Sequence, residues 1–301
     1  MAREIIEADL PKVKKLVSEV LQQDTYTNIE RMGGLTNRTY KVTLTNGREY
    51  IIRIPGEGTE EMIVREDEKI STTLACDLGI DAKMLYFGED GAKVTECIPD
   101  AITMNAQTMK ESANIKRAAE IFYKLHNSDA DTGVPFEVFD MAAGYEKIIE
   151  AKNVPMYDDY PAVKDTVMEI KSEVDRLCKI KKVPCHNDPL CENWVISGEG
   201  KMYLIDWEYA GMNDGMWDLA DLSIEASYSR EHDEELLHSY FGRRPDDLDW
   251  KRFLANKIFV DYLWTLWAKT RVPYDGQPME DWATERYSRL KENIKEFENL
   301  K

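Results

Sequence analysis

Over residues 4–22 the apolar side chains Ile5, Ile6, Leu10, Val13, Leu16, Val17, Val20 and Leu21 recur at helical spacing, which predicts an amphipathic helix. The period then drops to two. Tyr40, Val42 and Leu44 alternate with polar residues, Asn46-Gly47 supplies a tight turn, and Tyr50–Ile54 is rich in β-formers, so a hairpin is expected. A broken apolar face of Ile63, Ile70, Leu74 and Leu78 predicts a helix over 63–78. Short strands are expected near Lys83–Phe87 and Lys93–Ile98.

Beyond Pro99 the helical period takes over. The main segments are 115–127, 142–152, 160–180, 216–229, 232–241, 249–269 and 280–299. One β-rich island interrupts them: Trp194-Val195-Ile196, a turn over 197–200, then Met202–Ile205. The pattern is α+β. A β-rich part over residues 1–98 joins a larger helical part over 99–301 that holds a β-hairpin, and such a junction is where ligand clefts tend to form. The length of 301 residues fits two such parts at roughly 150 residues each.

Charge narrows the function. There are 57 acidic against 39 basic side chains, a formal net charge of −18. A nucleic-acid binder would need a basic stripe, and an anionic membrane surface would repel this chain. A small cationic ligand fits the balance. The charged start, MAREIIEADLPKVKKLV, lacks the apolar run of a signal peptide, and no stretch approaches the roughly 18 apolar residues of a spanning helix. Cys76, Cys97, Cys178, Cys185 and Cys191 are odd in number and form no C-x-x-C pair, which reads as reduced thiols in a cytoplasmic protein. No heptad signal points to an oligomer.

The candidate chemistry concentrates in residues 185–226. Asp188 and Asn193 stand in a D-x-x-x-x-N arrangement, and Asp206 follows through the expected hairpin. That is the layout of a protein-kinase catalytic loop and its metal-binding Asp. Phosphoryl transfer needs a carboxylate to accept the proton of the attacking hydroxyl, the role suited to Asp188. It also needs hard oxygen ligands for Mg²⁺ on the nucleotide phosphates, suited to Asn193 and Asp206. A turn at Asn187-Asp188-Pro189 and a strand-end Asp206 would explain each piece singly, but not all three in order with strands between. His186 is expected to be structural. Gly33-Gly34-Leu35-Thr36-Asn37 lies between two expected strands and can bring backbone N–H groups over phosphates, although Gly-Gly turns are common in hairpins. There is no Walker-type G-x-x-x-x-G-K-[ST].

Together these segments resemble the choline kinase and aminoglycoside phosphotransferase group of the protein-kinase-like fold, nearest to its bacterial choline kinases. The Gly-Gly-x-Thr-Asn loop, the R-E-x-E helix, the H-N-D…N loop, the I-D-W-E-Y-A segment and a late W-x-x-W pair carry the resemblance over nearly the whole chain. Pro189 departs from the Leu usual in the wider group and leaves the 188/193 spacing intact. The resemblance implies two lobes, with ATP covered by the loop at Gly33, Gly34, Thr36 and Asn37. Arg53 takes the place of the nucleotide-gripping Lys, and Glu68, rather than Glu66, is its helix partner. The strand end at Glu96-Cys97-Ile98 becomes the adenine hinge, with Glu96 and Ile98 at the nucleotide.

The acceptor is read from aromatic residues. A quaternary ammonium has no N–H donor and is held by ring faces with a carboxylate nearby. Trp264 and Trp267 share one helix face, Trp282 begins the next helix, Tyr209 follows Asp206 by three, and Glu225 lies on the helix after it. The resemblance assigns all five to a choline pocket, while Trp207, Trp217 and Trp250 read as core or surface anchors. The expectation is a choline kinase using ATP and Mg²⁺. The same fold acting on ethanolamine, thiamine, a sugar or an aminoglycoside is the alternative, and an inactive nucleotide-binding scaffold is a further one. An aminoglycoside would leave the aromatic set unexplained.

Overall fold

The computed structural model describes residues 6–32, 37–56 and 63–300. In chain order its elements are α1 (Leu10–Leu21), β1 (Tyr26–Arg31), β2 (Arg38–Leu44), β3 (Glu49–Ile54), α2 (Arg65–Asp77), β4 (Met84–Phe87), β5 (Lys93–Glu96) and β6 (Ile102–Thr103). Then follow α3 (Ser112–His126), α4 (Val138–Ala151), α5 (Tyr160–Leu177), β7 (Lys182–Cys185), β8 (Trp194–Ile196), β9 (Met202–Leu204) and β10 (Gly211–Asp214). The chain closes with α6 (Met216–Glu225), α7 (Arg230–Phe241), α8 (Asp247–Asp275) and α9 (Gln277–Asn299). They group into two units. One is Met1–Met104 with Glu192–Ala210; the other is Asn105–Cys191 with Gly211–Lys301. The hairpin of β8 and β9, expected within the 99–301 part, therefore packs with the first unit. The reason is pairing: β6 joins β8 antiparallel, and the Leu204 N–H donates to the Ile80 carbonyl at 3.1 Å.

The first unit is built on a five-stranded sheet in the order β1-β2-β3-β5-β4, with every pair antiparallel. Alternation decides its faces. Tyr40, Val42 and Leu44 of β2, Ile52 and Ile54 of β3, and Val94 of β5 turn to one side and bury against Val13, Leu16 and Val17 of α1. Arg53, between Ile52 and Ile54, turns to the other face, yet it is buried there. Gly47 closes the β2–β3 turn at φ +81, a left-handed conformation that costs glycine nothing.

The helix expected from residue 4 begins only at Leu10, with Pro11 in its first turn. Asp9 does not cap it. Its carboxylate instead accepts from Arg38 Nε at 2.6 Å and Nη2 at 3.0 Å, and from the Tyr40 hydroxyl at 2.5 Å. The contacts to Arg38 and Tyr40 outweigh burial and hold the Asp9 carboxyl below its usual range.

The second unit is helical around α8, which is buried on nearly every side, as a central helix must be. Asp246 caps it, accepting from the Leu248 and Asp249 N–H groups at 3.0 Å. The helix runs past the expected end at 269 and through Pro273 to Gly276. A short antiparallel ladder of β7 and β10, absent from the sequence expectation, pairs Gly211 with Cys185 and frames the start and end of residues 186–210. No helix among the described residues is long and apolar enough to cross a membrane.

Asp9→Ala leaves Arg38 and Tyr40 without their acceptor. Urea unfolding is expected to show a loss of about 2–3 kcal/mol. Glu19→Ala, at an exposed pair, should change the same midpoint by no more than about 0.5 kcal/mol.

Candidate active site

Asp188 sits in a loop that the second unit holds rigidly. Asp218, in the first turn of α6, accepts the backbone N–H of His186 at 2.9 Å and of Asn187 at 2.8 Å. A helix N-terminus is a favourable place for that carboxylate. His126 Nε2 lies 3.0 Å from the same carboxylate and must donate to it, so Nδ1 accepts from the Tyr240 hydroxyl at 2.9 Å. A Cβ at Gly215 would fall 2.8 Å from His126 Nδ1, so only glycine lets α6 begin so close.

Asn187 carries the loop. Its Oδ1 accepts from Asn213 Nδ2 at 3.0 Å, and its carbonyl accepts from Trp217 Nε1 at 3.0 Å. Its φ of +66 is left-handed, a conformation Asn tolerates better than most residues and one that marks functional loops. Asp188 follows, half-buried, with its N–H on His186 Nδ1 at 3.3 Å. His186 is fully buried, which fits a structural place for it. His126, Cys185 and Asp218 lie close enough to suggest a metal, but both imidazole nitrogens are taken. Burial and the Asp218 charge also push the Cys185 thiol well up, away from the thiolate a metal needs.

Within the first unit, Arg53 gathers three partners. Its guanidinium pairs with Glu68 of α2, donates to the Gly91 carbonyl at 3.0 Å, and reaches Asp206 Oδ1 at 3.2 Å. Glu68 is buried while the Glu66 side chain is largely exposed, so of these two carboxylates it is Glu68 that meets Arg53. Asp206 also has left-handed backbone, φ +69, and the Ile205 N–H donates to the Asn193 carbonyl at 2.9 Å, which ties the backbone just before Asp206 to that of Asn193. The donors there are oxygen atoms of a carboxylate and an amide, a set that suits a hard divalent cation.

Two further residues complete this cluster. Glu208 accepts from Asn37 Nδ2 at 3.1 Å and lies 3.7 Å from Arg65, which also donates to Glu68 at 2.7 Å. Burial, then the Asp206 charge, push the Glu208 carboxyl up to about 7. The buried Asn37 Oδ1 finds no hydrogen-bond partner among the described residues. Glu208 was visible in the I-D-W-E-Y-A segment and Arg65 in the R-E-D-E run, but nothing local gives either a partner. Gly33, Gly34 and Thr36 lie outside the described residues. Glu96 ends β5, with its N–H on the Lys83 carbonyl at 2.9 Å and its side chain exposed, and Ile98 follows half-buried.

The aromatic residues stand in the second unit, except Tyr209, which is half-buried in the first. Trp264 and Trp267 meet edge to face at 6.1 Å, and Trp267 meets Trp282 the same way at 6.0 Å. Trp264 is buried; Trp267 and Trp282 keep part of their surface open. The buried Trp267 Nε1–H has no acceptor among the described residues. Glu225, at the end of α6, pairs with Arg286 of α9, a buried residue whose guanidinium stacks 4.2 Å from the Trp282 ring centroid. Trp207 and Trp217 are core.

An Arg–Glu pair joining a sheet to a helix within the first unit, and the loop of Asp188 held by α6 within the second, fit a phosphotransferase of the protein-kinase-like fold. The comparisons agree. The family model for choline/ethanolamine kinase matches residues 29–244, and the chain belongs to that family. It is therefore an ATP-dependent small-molecule kinase. It is 32% identical to a choline/ethanolamine kinase family protein of Mesorhizobium loti, with TM-score 0.85 and 97% of each chain covered. It is likewise 32% identical to the choline kinase LicA of Streptococcus pneumoniae, with TM-score 0.83 over 96% of this chain and 100% of that one. Protein LicA of Haemophilus influenzae strain Rd is 27% identical over 84% of this chain and 96% of its own.

Asp218→Ala removes the acceptor of two backbone donors and an imidazole at once. Chemical denaturation is expected to show a loss of about 2–4 kcal/mol. A loss below about 1 kcal/mol would mean that the loop is held by something else.

Proposed function

We propose that this protein transfers the γ-phosphate of ATP to the hydroxyl of choline, giving phosphocholine and ADP. The observation that carries the acceptor is the Trp264–Trp267–Trp282 wall beside Glu225. Ring faces attract a methylated ammonium without needing hydrogen bonds from it. The similarity to the choline kinase LicA of Streptococcus pneumoniae supports the same acceptor.

In this reading Asp188 orients the choline hydroxyl and accepts its proton. The oxygen forms a new bond to the γ-phosphorus as the bond to the ADP oxygen breaks. Arg53, fixed by Glu68, places positive charge at the nucleotide phosphates. The loop at Gly33, Gly34, Thr36 and Asn37 covers those phosphates, and Glu96 and Ile98 border the adenine. Asn193 and Asp206 are the residues that would hold Mg²⁺, which when bound offsets charge on the phosphates. Tyr209 joins the aromatic set around the head group. Five free thiols and the need for ATP support a cytoplasmic location.

The test is ADP release with Mg-ATP against choline, ethanolamine, thiamine and kanamycin. Turnover confined to choline is expected; turnover with another acceptor alone would keep the phosphotransfer loop and discard the choline assignment. Asp188→Ala should lower kcat at least about 100-fold while ATP binding, read by thermal shift, persists. Retained activity would remove Asp188 from the base role. Trp267→Ala should weaken choline binding by about 0.5–2 kcal/mol, measured as Kd by calorimetry. An unchanged Kd with a lowered melting temperature would return that ring to the core.

A further inference from the structure

Arg286 is a cation already lodged where a cationic substrate is expected. It is buried, with 2% of its surface exposed. One Nη pairs with Glu225, the other donates to Asp261 Oδ1 at 3.1 Å, and the guanidinium stacks on Trp282. Asp261 is held from the other side by Arg289, at 2.7 and 2.8 Å. Two carboxylates thus face two guanidinium groups, and the charge of Glu225 is balanced before any ligand arrives.

A balanced carboxylate treats the two amino alcohols differently. A primary ammonium brings three N–H donors and loses strong hydration on entry, so it needs charged acceptors to replace the water. A trimethylammonium has no donor and needs only apolar and π surface. The remaining acid nearby is Asp221, one helical turn before Glu225. It is buried, and neither of its carboxyl oxygens has a hydrogen-bond partner among the described residues. Burial, then the charge of Glu225, push its carboxyl well up against the opposing pull of Arg286, with Asp188 and Asp218 adding to the rise.

We propose that Arg286 is the residue that makes this site select a methylated head group. By neutralising Glu225 and covering part of the Trp282 face, it withholds the anionic acceptor that ethanolamine requires and leaves the indole surfaces that choline uses. This rests on the choline kinase reading above.

The test compares kcat/KM for choline and for ethanolamine in the wild type and in Arg286→Lys. Lysine keeps the charge but cannot fork to Glu225 and Asp261 together, and Arg289 still serves Asp261. The ethanolamine-to-choline ratio is expected to rise about tenfold or more. An unchanged ratio in a folded variant overturns the proposal. If Arg286→Lys does not fold, Glu225→Gln decides. A common fall for both acceptors supports neutralisation of Glu225 by Arg286, whereas a selective loss of ethanolamine turnover would make Glu225 its acceptor and overturn it. A change of ratio in Asp221→Asn without one in Arg286→Lys also overturns it, moving selectivity to Asp221. A wild type that turns over neither alcohol sinks the functional reading instead, so the two failures are distinct.

Discussion

The carboxylate of Asp218 is the contact on which the second unit's chemistry depends. A buried carboxylate is costly unless its lone pairs are used, and here two backbone N–H groups and an imidazole use them. Those N–H groups belong to His186 and Asn187, the residues immediately before Asp188. The bond therefore does more than stabilise α6: it fixes the backbone from which Asp188 projects. The left-handed Asn187 and the close approach of α6 at Gly215 are both consequences of bringing helix and loop to the same acceptor.

Charge is handled by the same logic in each unit. Arg53 is buried among Glu68, Asp206 and a carbonyl; Arg286 is buried between Glu225 and Asp261. A guanidinium suits both places because its fork meets two acceptors at once, which a lysine cannot do. Such buried pairs contribute less to stability than their geometry suggests, since desolvation offsets attraction. What they do provide is position. They hold carboxylates and ring faces in one arrangement ahead of any ligand.

Much of this was legible because it is local. The D-x-x-x-x-N spacing, the Asp206 that follows a hairpin, and the tryptophans three apart on one helix are short-range patterns. Periodicity located the long helices and β2 to β5 of the five-stranded sheet, and gave no bounds for β1. It failed where the signal is short or lies elsewhere in the chain. β7 (Lys-Val-Pro-Cys) and β10 (Gly-Met-Asn-Asp) hold Pro, Gly, Asn and Asp, which are depleted in strands, and β6 has only two residues. The start of α1 at Leu10 is associated with Asp9 binding Arg38 and Tyr40, which no inspection of residues 4–22 reveals. The helix expected to end at 269 runs on through Pro273 to Asp275; Pro273 lies near the end of a helix already committed by the packing of α8.

The sequence by itself determined the α+β class, the order of most helices and strands, and the motif spacing on which the proposed phosphotransfer rests, because side-chain period and motif spacing are properties of neighbours along the chain. Only the tertiary structure decided that the β8–β9 hairpin belongs with the first sheet, that Asp218 organises the catalytic loop, that Glu208 and Arg65 join the Arg53 cluster, and that Arg286 neutralises Glu225. Each of these joins residues tens to more than a hundred positions apart. A buried charge finds its partner through the packing of whole elements, and that packing is written in no single stretch of the chain.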